Sequence, residues 1–361
     1  MRPVDTRDLG GGQLREPSWA EQLHGLYLDS PAMRRQRRQR QFRRRRVGAV
    51  LILATVVAGG VYLVEGVTSS SRPTASTPGK ASNQSAGTHR PVVPTSVAPP
   101  ALNEPGGGRT LFPNRRIVAF YGAAGIPRLG ILGSQKPEQL WPQLAAQAAP
   151  YDQPATPVLP AYELIAFVTN AAPGSDHSDA SRISDDTIEA YLSTVRAHHG
   201  LLILDIQPGR GDFLADVQSL ARWLAEPDVG LALDPEWKLD ANQLPSKQIG
   251  HTTAAAVNAV STWLAQLVAS KNLPQKLLLI HQFTDDMVTD KASVQAFPGL
   301  AMVFNMDGFG AQEVKAVRYQ ALAADNRFSL GFKVFYKQDK NPYSPGDLLA
   351  LTPAPSVVEY Q

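Results

Sequence analysis

Residues 201–237 read LLILDIQPGRGDFLADVQSLARWLAEPDVGLALDPEW, and the order of patterns in this stretch decides the fold. Leu201–Asp205 and Val229–Leu233 are nearly unbroken apolar runs, the pattern of parallel strands covered on both faces. Between them Asp212 is placed to cap a helix whose stripe is Phe213, Val217, Leu220 and Leu224. Strand, helix, strand in under forty residues is a parallel βαβ unit. Each run stops in a polar cluster: Asp205-Ile206-Gln207 after the first, and Asp234-Pro235-Glu236-Trp237 after the second.

The same alternation continues on both sides. Further strand candidates are Arg116–Tyr121, Glu163–Val168, Lys276–Ile280, Leu300–Phe304, Ser329–Val334 and Val357–Tyr360. Helical stripes lie between them. Ile188, Tyr191, Leu192 and Val195 follow Ser184-Asp185-Asp186, a capping residue with acids in the first turn. Val257, Val260, Leu264 and Leu267 form a third stripe, and Val314 with Val317 a shorter one. Eight strands with seven helical crossovers in about 250 residues predict an α/β fold, a (β/α)8 TIM barrel over 111–361. The competitor is a doubly wound sheet. Against it, Gly209-Arg210-Gly211 has Leu214 where a dinucleotide loop needs its third glycine, and no P-loop is present.

Upstream the chemistry changes. The segment through Arg46 carries twelve basic and five acidic residues, leaving 23 basic and 27 acidic for the rest of a chain whose formal net charge is +3. The basic run ends in Arg43-Arg44-Arg45-Arg46 and abuts the 18 apolar residues Val47–Val64. At 1.5 Å per residue these span roughly 27 Å, enough for one transmembrane helix through a slightly thin bilayer. The basic flank predicts a cytoplasmic tail over 1–46 and an extracytoplasmic remainder, a single-pass cell-membrane protein. A cleaved signal peptide is the rival, disfavoured by the long leading segment and the lack of a small-x-small site. Beside a membrane, the arginines suit anionic lipid headgroups better than nucleic acid, which is not expected. Residues 65–110, densest in Ser, Thr, Pro and Gly from Thr68 to Arg109, read as a disordered linker. With no cysteine, structural disulfides and thiolate metal sites are excluded.

A barrel of this kind places its active face at the C-terminal ends of the strands. Those ends supply Tyr121, Asp205, Gln207, Asp234, Glu236, Trp237, His281, Gln282, Asn305, Asp307, Tyr336 and Glu359. Residues two apart share a face, which pairs Asp234 with Glu236, Asp205 with Gln207, and Asn305 with Asp307. Convergent carboxylates with aromatic neighbours suit glycoside hydrolysis, where one acid donates a proton and others stabilise oxocarbenium-like charge. Catalytic candidates are Glu236, Asp234, Asp307 and Asp205. Candidates for substrate binding are Tyr121, Gln207, Trp237, His281, Gln282, Asn305 and Tyr336. Helix capping is the plain alternative for any single strand-end aspartate. No cofactor motif appears. His177, His251 and His281 are too dispersed for zinc, so no metal is expected; a divalent cation on Asp205, Asp234 and Asp307 is the chemical alternative.

Asp234-Pro235-Glu236 resembles the Asp-x-Glu signature of chitinase-like and lysozyme-like barrel glycosidases. Met306-Asp307 is similar to their sixth-strand Met-x-Tyr-Asp, with the tyrosine missing and the spacing shortened. The resemblance implies Glu236 as general acid, Asp234 orienting a substrate 2-acetamido group, and Asp307 supporting that assistance. The acidic run that precedes the glutamate in chitinases is replaced here by Gly230-Leu231-Ala232-Leu233. The ectodomain also resembles a group of uncharacterised actinobacterial envelope proteins, which implies a location and no activity. The expected function is a membrane-anchored glycosidase-like barrel acting on a cell-envelope polysaccharide. The alternative is a non-catalytic glycan-binding or scaffold protein on the same fold.

Overall fold

A computed structural model describes residues 102–170, 179–245 and 247–361. The segments expected to form a cytoplasmic tail over 1–46 and a membrane span over 47–64, with most of the expected linker, lie outside the described residues. No helix among those described is long and apolar enough to cross a membrane.

The described chain runs β1 (Arg116–Gly122), α1 (Pro137–Ala148), β2 (Val158–Thr169), β3 (Ala180–Arg182), α2 (Asp185–Ala197), β4 (Leu201–Ile206), α3 (Phe213–Ser219), α4 (Ala221–Leu224) and β5 (Val229–Leu233). It continues through β6 (Thr252–Thr253), α5 (Ala254–Ser270), β7 (Lys276–Gln282), β8 (Val288–Thr289), β9 (Leu300–Met306), α6 (Gln312–Ala323), β10 (Ser329–Val334), α7 (Pro345–Leu349) and β11 (Val357–Tyr360). Strands β1, β2, β4, β5, β7, β9, β10 and β11 pair in parallel in that order, and β1 pairs with both β2 and β11. The sheet is therefore a closed eight-stranded parallel barrel with helices outside, which rules out the doubly wound alternative. Short β3 adds antiparallel to the end of β2, and β6 pairs with β8 in a separate ribbon.

Side-chain alternation sorts the core into two shells. Val118, Tyr162, Leu204, Leu233, Ile280, Phe304, Phe332 and Val358 face outward and pack with the helices. Their neighbours Ile117, Ala161, Ile203, Ala232, Leu279, Val303 and Val357 fill the barrel's lower interior. Leu111, fully buried, closes that end, its N–H donating to Gln275 Oε1 at 2.8 Å. Residues 102–110, counted with the linker by composition, pack at this end: the Arg109 guanidinium donates to the carbonyls of Asn272 and Leu273, and Glu104 is buried.

The helices form where caps and stripes require. Ser184 Oγ accepts from Thr187 N–H at 3.2 Å, Asp212 Oδ1 from Leu214 N–H at 2.7 Å, and Thr253 Oγ1 from Ala256 N–H at 3.1 Å. Two expectations need correction. Only six of the seven crossovers carry an α-helix. Between β7 and β9 residues 283–299 hold only the short strand β8 and a 3₁₀ turn at Lys291–Ser293, because that stretch lacks a helical period and ends in Pro298-Gly299. On α6 the buried face is Lys315, Arg318, Tyr319 and Leu322, while Val317 is exposed. Two cations sit inward there because Asp339 bonds the Lys315 ammonium and Arg318 reaches the barrel mouth.

Candidate active site

Above the apolar floor the barrel interior turns polar. Tyr121, Glu163, Asp205, His281, Asn305, Lys333 and Glu359 occupy inward positions of seven strands, and Asp234 follows directly on the eighth, β5. All eight are buried, none more than 4% exposed. Strand parity puts them there: all but Lys333, which follows Gly331, lie two residues beyond an apolar interior neighbour. Register then sets the contacts. Lys333 stands opposite Glu359, His281 opposite Asn305, and Tyr121 opposite Glu163. Asn305 also faces Gly331 on β10, where a Cβ would come within 2.3 Å of Asn305 Oδ1, so only glycine leaves room for that amide.

His281 is the centre of this layer. Its Nε2 lies 2.9 Å from Glu163 Oε1, and its Nδ1 3.0 Å from Asp307 Oδ2. Lys333 Nζ reaches the same Asp307 oxygen at 3.1 Å and sits 3.3 Å from the centre of the Tyr121 ring. Asn305 donates to Glu359 Oε2 at 3.0 Å. On the other side Gln207 Nε2 donates to the Tyr121 hydroxyl at 3.2 Å, and that hydroxyl donates to Asp205 Oδ2 at 3.2 Å.

Above lies a pocket of about 660 Å³, including its open mouth. Asp234, Glu236, Asp307 and Lys333 line its base, Trp237, Phe283, Phe309 and Phe335 its walls, and Arg318 its edge. Phe309 and Phe335 meet edge to face, their centroids 5.8 Å apart. Glu236 stands on a 3₁₀ turn, Pro235–Trp237, for which Asp234 is the N-terminal flank. One carboxylate oxygen from each of Asp234, Glu236 and Asp307 lies within 4.8 Å of the others.

Charges in this assembly separate by environment. Burial works to raise Asp307, but Lys333 and His281 outweigh it and hold the carboxyl well below the usual range. Glu163 is likewise lowered, burial being overcome by the hydrogen bond from His281. Burial, then repulsion from Asp234 and Asp307, pushes Glu236 well up. Burial and Asp234 do the same for Asp205, and burial and Glu163 for Glu359. Asp234 is raised to about 6, chiefly by burial. The site thus holds fixed anions, Asp307 and Glu163, beside carboxyls that keep their protons near neutrality.

Of the residues singled out from sequence, Asp234, Glu236, Asp307, Tyr121, Gln207 and Trp237 line the pocket together. Asp205, His281 and Asn305 lie in the buried layer, Asp205 bonded to the Tyr121 hydroxyl. Two side chains point elsewhere. Gln282 faces the outer shell, donating to Thr284 O at 3.0 Å and accepting from Lys291 at 2.8 Å. Tyr336 is 46% exposed, stacks on Tyr360 and donates to Gln147 Oε1. Both fall at strand ends where the next residue belongs to the opposite face. His251 stands beside Asp240, and His177 lies outside the described residues.

Glu163 and Lys333 escaped sequence reasoning. Glu163 was placed at the start of its strand, yet β2 begins at Val158, which lifts the glutamate to the level of Tyr121. Lys333 sits within the apolar run of β10. The available signal was parity, since a charge inside an apolar run at an inward position must meet a partner. As for cations, Asp234, Glu236 and Asp307 offer hard oxygen donors, but the Lys333 ammonium already occupies the Asp307 side. No known protein family matches this chain, and no similar relative was found among curated proteins.

Proposed function

We propose that this chain is a membrane-anchored, extracytoplasmic glycoside hydrolase-like protein that cleaves a cell-envelope polysaccharide at the barrel mouth, with Glu236 as general acid. The supporting observation is that Glu236 stands in an aromatic-walled pocket with Asp234 and Asp307 oxygens within 4.8 Å. The anchor expected over 47–64 and the basic tail, suited to anionic headgroups, supply the location.

The three-carboxyl spacing bears on mechanism. Enzymes that flank the bond with two carboxyls hold them about 5–5.5 Å apart when retaining and about 6.5–9.5 Å apart when inverting. With one oxygen each within 4.8 Å of the others, Asp234, Glu236 and Asp307 form a single cluster of three rather than an isolated pair. This favours assistance by the substrate's own 2-acetamido group. Glu236 protonates the glycosidic oxygen, the C1–O bond breaks, and the acetamido oxygen closes on C1. Asp234 orients the acetamido N–H, and Asp307, held ionised by Lys333 and His281, stabilises the positive charge that develops. Water then attacks C1, the bond between C1 and the acetamido oxygen breaks to restore the free acetamido group, and the Glu236 carboxylate takes the water's proton, which restores the acid. Trp237 and the three phenylalanines present faces to sugar rings.

The test is release of reducing ends from isolated envelope glycans and N-acetylated oligosaccharides by the full-length protein. Glu236→Gln is expected to lower the rate by about 10²- to 10⁴-fold. Equal release by the variant defeats the assignment. Binding without release by wild type turns the reading to the non-catalytic glycan-binding alternative.

A further inference from the structure

We propose that His281 is a doubly protonated positioning residue that bridges Glu163 and Asp307 through its two ring N–H groups, fixing Asp307 as the anion of the site so that the exchangeable proton stays with Glu236. The consequence for Glu236 rests on the glycosidase reading. The charge on the ring does not.

The geometry carries the argument. Each ring nitrogen has its own carboxylate oxygen, Glu163 Oε1 at 2.9 Å from Nε2 and Asp307 Oδ2 at 3.0 Å from Nδ1. A neutral imidazole has one N–H and one lone pair, so one carboxylate would face a lone pair at hydrogen-bond distance. The rival neutral form has Nδ1 accepting from Asn305 Nδ2 at 3.3 Å. That contact is longer, and it leaves Asp307 Oδ2 against the lone pair. The imidazolium satisfies both carboxylates at once.

The groups packed around the ring are mostly acidic, and Lys333 is the one charge among them that opposes a second proton. Asp205 on β4 and Glu359 on β11 stand 4.0 Å from Nε2 and Nδ1 respectively. Tyr121 on β1 presents its ring 6.0 Å away, edge to face. Asp234 and Glu236 after β5 add negative potential, and Lys333 on β10 is the other cation of the cluster. Six carboxyls thus face two cations. With His281 charged, Lys333 and His281 balance Glu163 and Asp307, while burial pushes the remaining acids toward their protonated forms, Asp234 the least. Glu359, pushed up by burial and Glu163, shares its proton with Glu163, which accounts for the otherwise partnerless Glu163 Oε2 and Glu359 Oε1. With His281 neutral, one of the two anions would sit buried against no second cation.

The ring state can be read without substrate. In full-length protein labelled with ¹⁵N-histidine, seven histidines contribute signals, and His281→Gln identifies the one that vanishes. Should that variant not fold, perturbation by Glu163→Gln identifies it instead. Both His281 ring nitrogens are expected to stay protonated at pH 8, where an ordinary histidine of pKa about 6.5 is neutral. A bare ring nitrogen at pH 8 overturns the proposal. The positioning role has its own readout. The acid limb of the kcat/KM profile should move up by about one pH unit or more in His281→Gln, because Asp307 loses one of its two cations. A uniform loss at every pH reveals a merely structural residue and overturns the role. A charged His281 in a wild-type protein that releases no sugar leaves the ring assignment standing and removes the glycosidase reading.

Discussion

The lower and upper halves of the barrel interior come from the same eight strands, yet they obey opposite physics. Below, Ile117, Leu159, Ile203, Leu277, Leu279 and Val303 fill the cylinder with hydrocarbon, and their burial stabilises the fold at about 25 cal/mol per Å². Two residues further along, the same strands bury Glu163, Asp205, His281, Lys333 and Glu359. Ionised groups there lose several kcal/mol each of hydration, which their mutual attraction offsets only when every partner is present. One layer holds the barrel together; the other sets the charge beneath its mouth. The polar layer lies directly under the pocket, where a preorganised charge can act on a ligand.

Removing one cation tests this contrast most severely. Lys333→Met leaves Asp307 with a single partner, and we expect a loss of about 3–5 kcal/mol in chemical denaturation. A stabilised variant would mean that the upper layer is not an ionic assembly. In the lower layer, Leu279→Ala opens a cavity with no charge left behind, at a cost of about 2–5 kcal/mol that should not depend on pH. A strong pH dependence of that difference would break the division between the halves.

Glu104, under the lower end, sharpens the comparison through pH. Burial pushes its carboxyl up to about 8 against the attraction of Lys276. A raised folded pKa gives a contribution that is complete below the unfolded value near 4.5 and lost as pH rises through 8. Glu104→Gln should therefore melt above wild type at pH 8 and close to it at pH 4. Equal shifts at both pH values would place the effect in packing. The smallest effect is expected from Glu359→Gln. Glu359 already holds a proton in the folded state, so its amide should keep stability within about 1 kcal/mol at pH 7. A loss as large as that from Lys333→Met would show Glu359 to be an anion.

The eight strands were legible because apolar runs without polar interruption leave little choice but a doubly covered parallel sheet. The missing fifth helix and the inward face of α6 were less so. Residues 283–299 were counted among seven helical crossovers without a stripe of their own, and Val314 with Val317 looked like the buried face until Lys315 found Asp339. At the site, strand-end acids such as Asp234, Glu236 and Asp307 stood out because they follow apolar runs. Glu163 and Lys333 did not, because a charge inside a strand declares its role only when its cross-barrel partner is known. Gln282 and Tyr336 show the converse limit, since a position at a strand end reveals nothing until its face is fixed.

Gly331 carries a consequence beyond its own strand. A Cβ at this position would fall 2.3 Å from Asn305 Oδ1, so any larger residue would displace the amide that steadies Glu359. A bare glycine on the seventh stave, level with an asparagine on the sixth, is thus a readable fingerprint for this kind of charged interior.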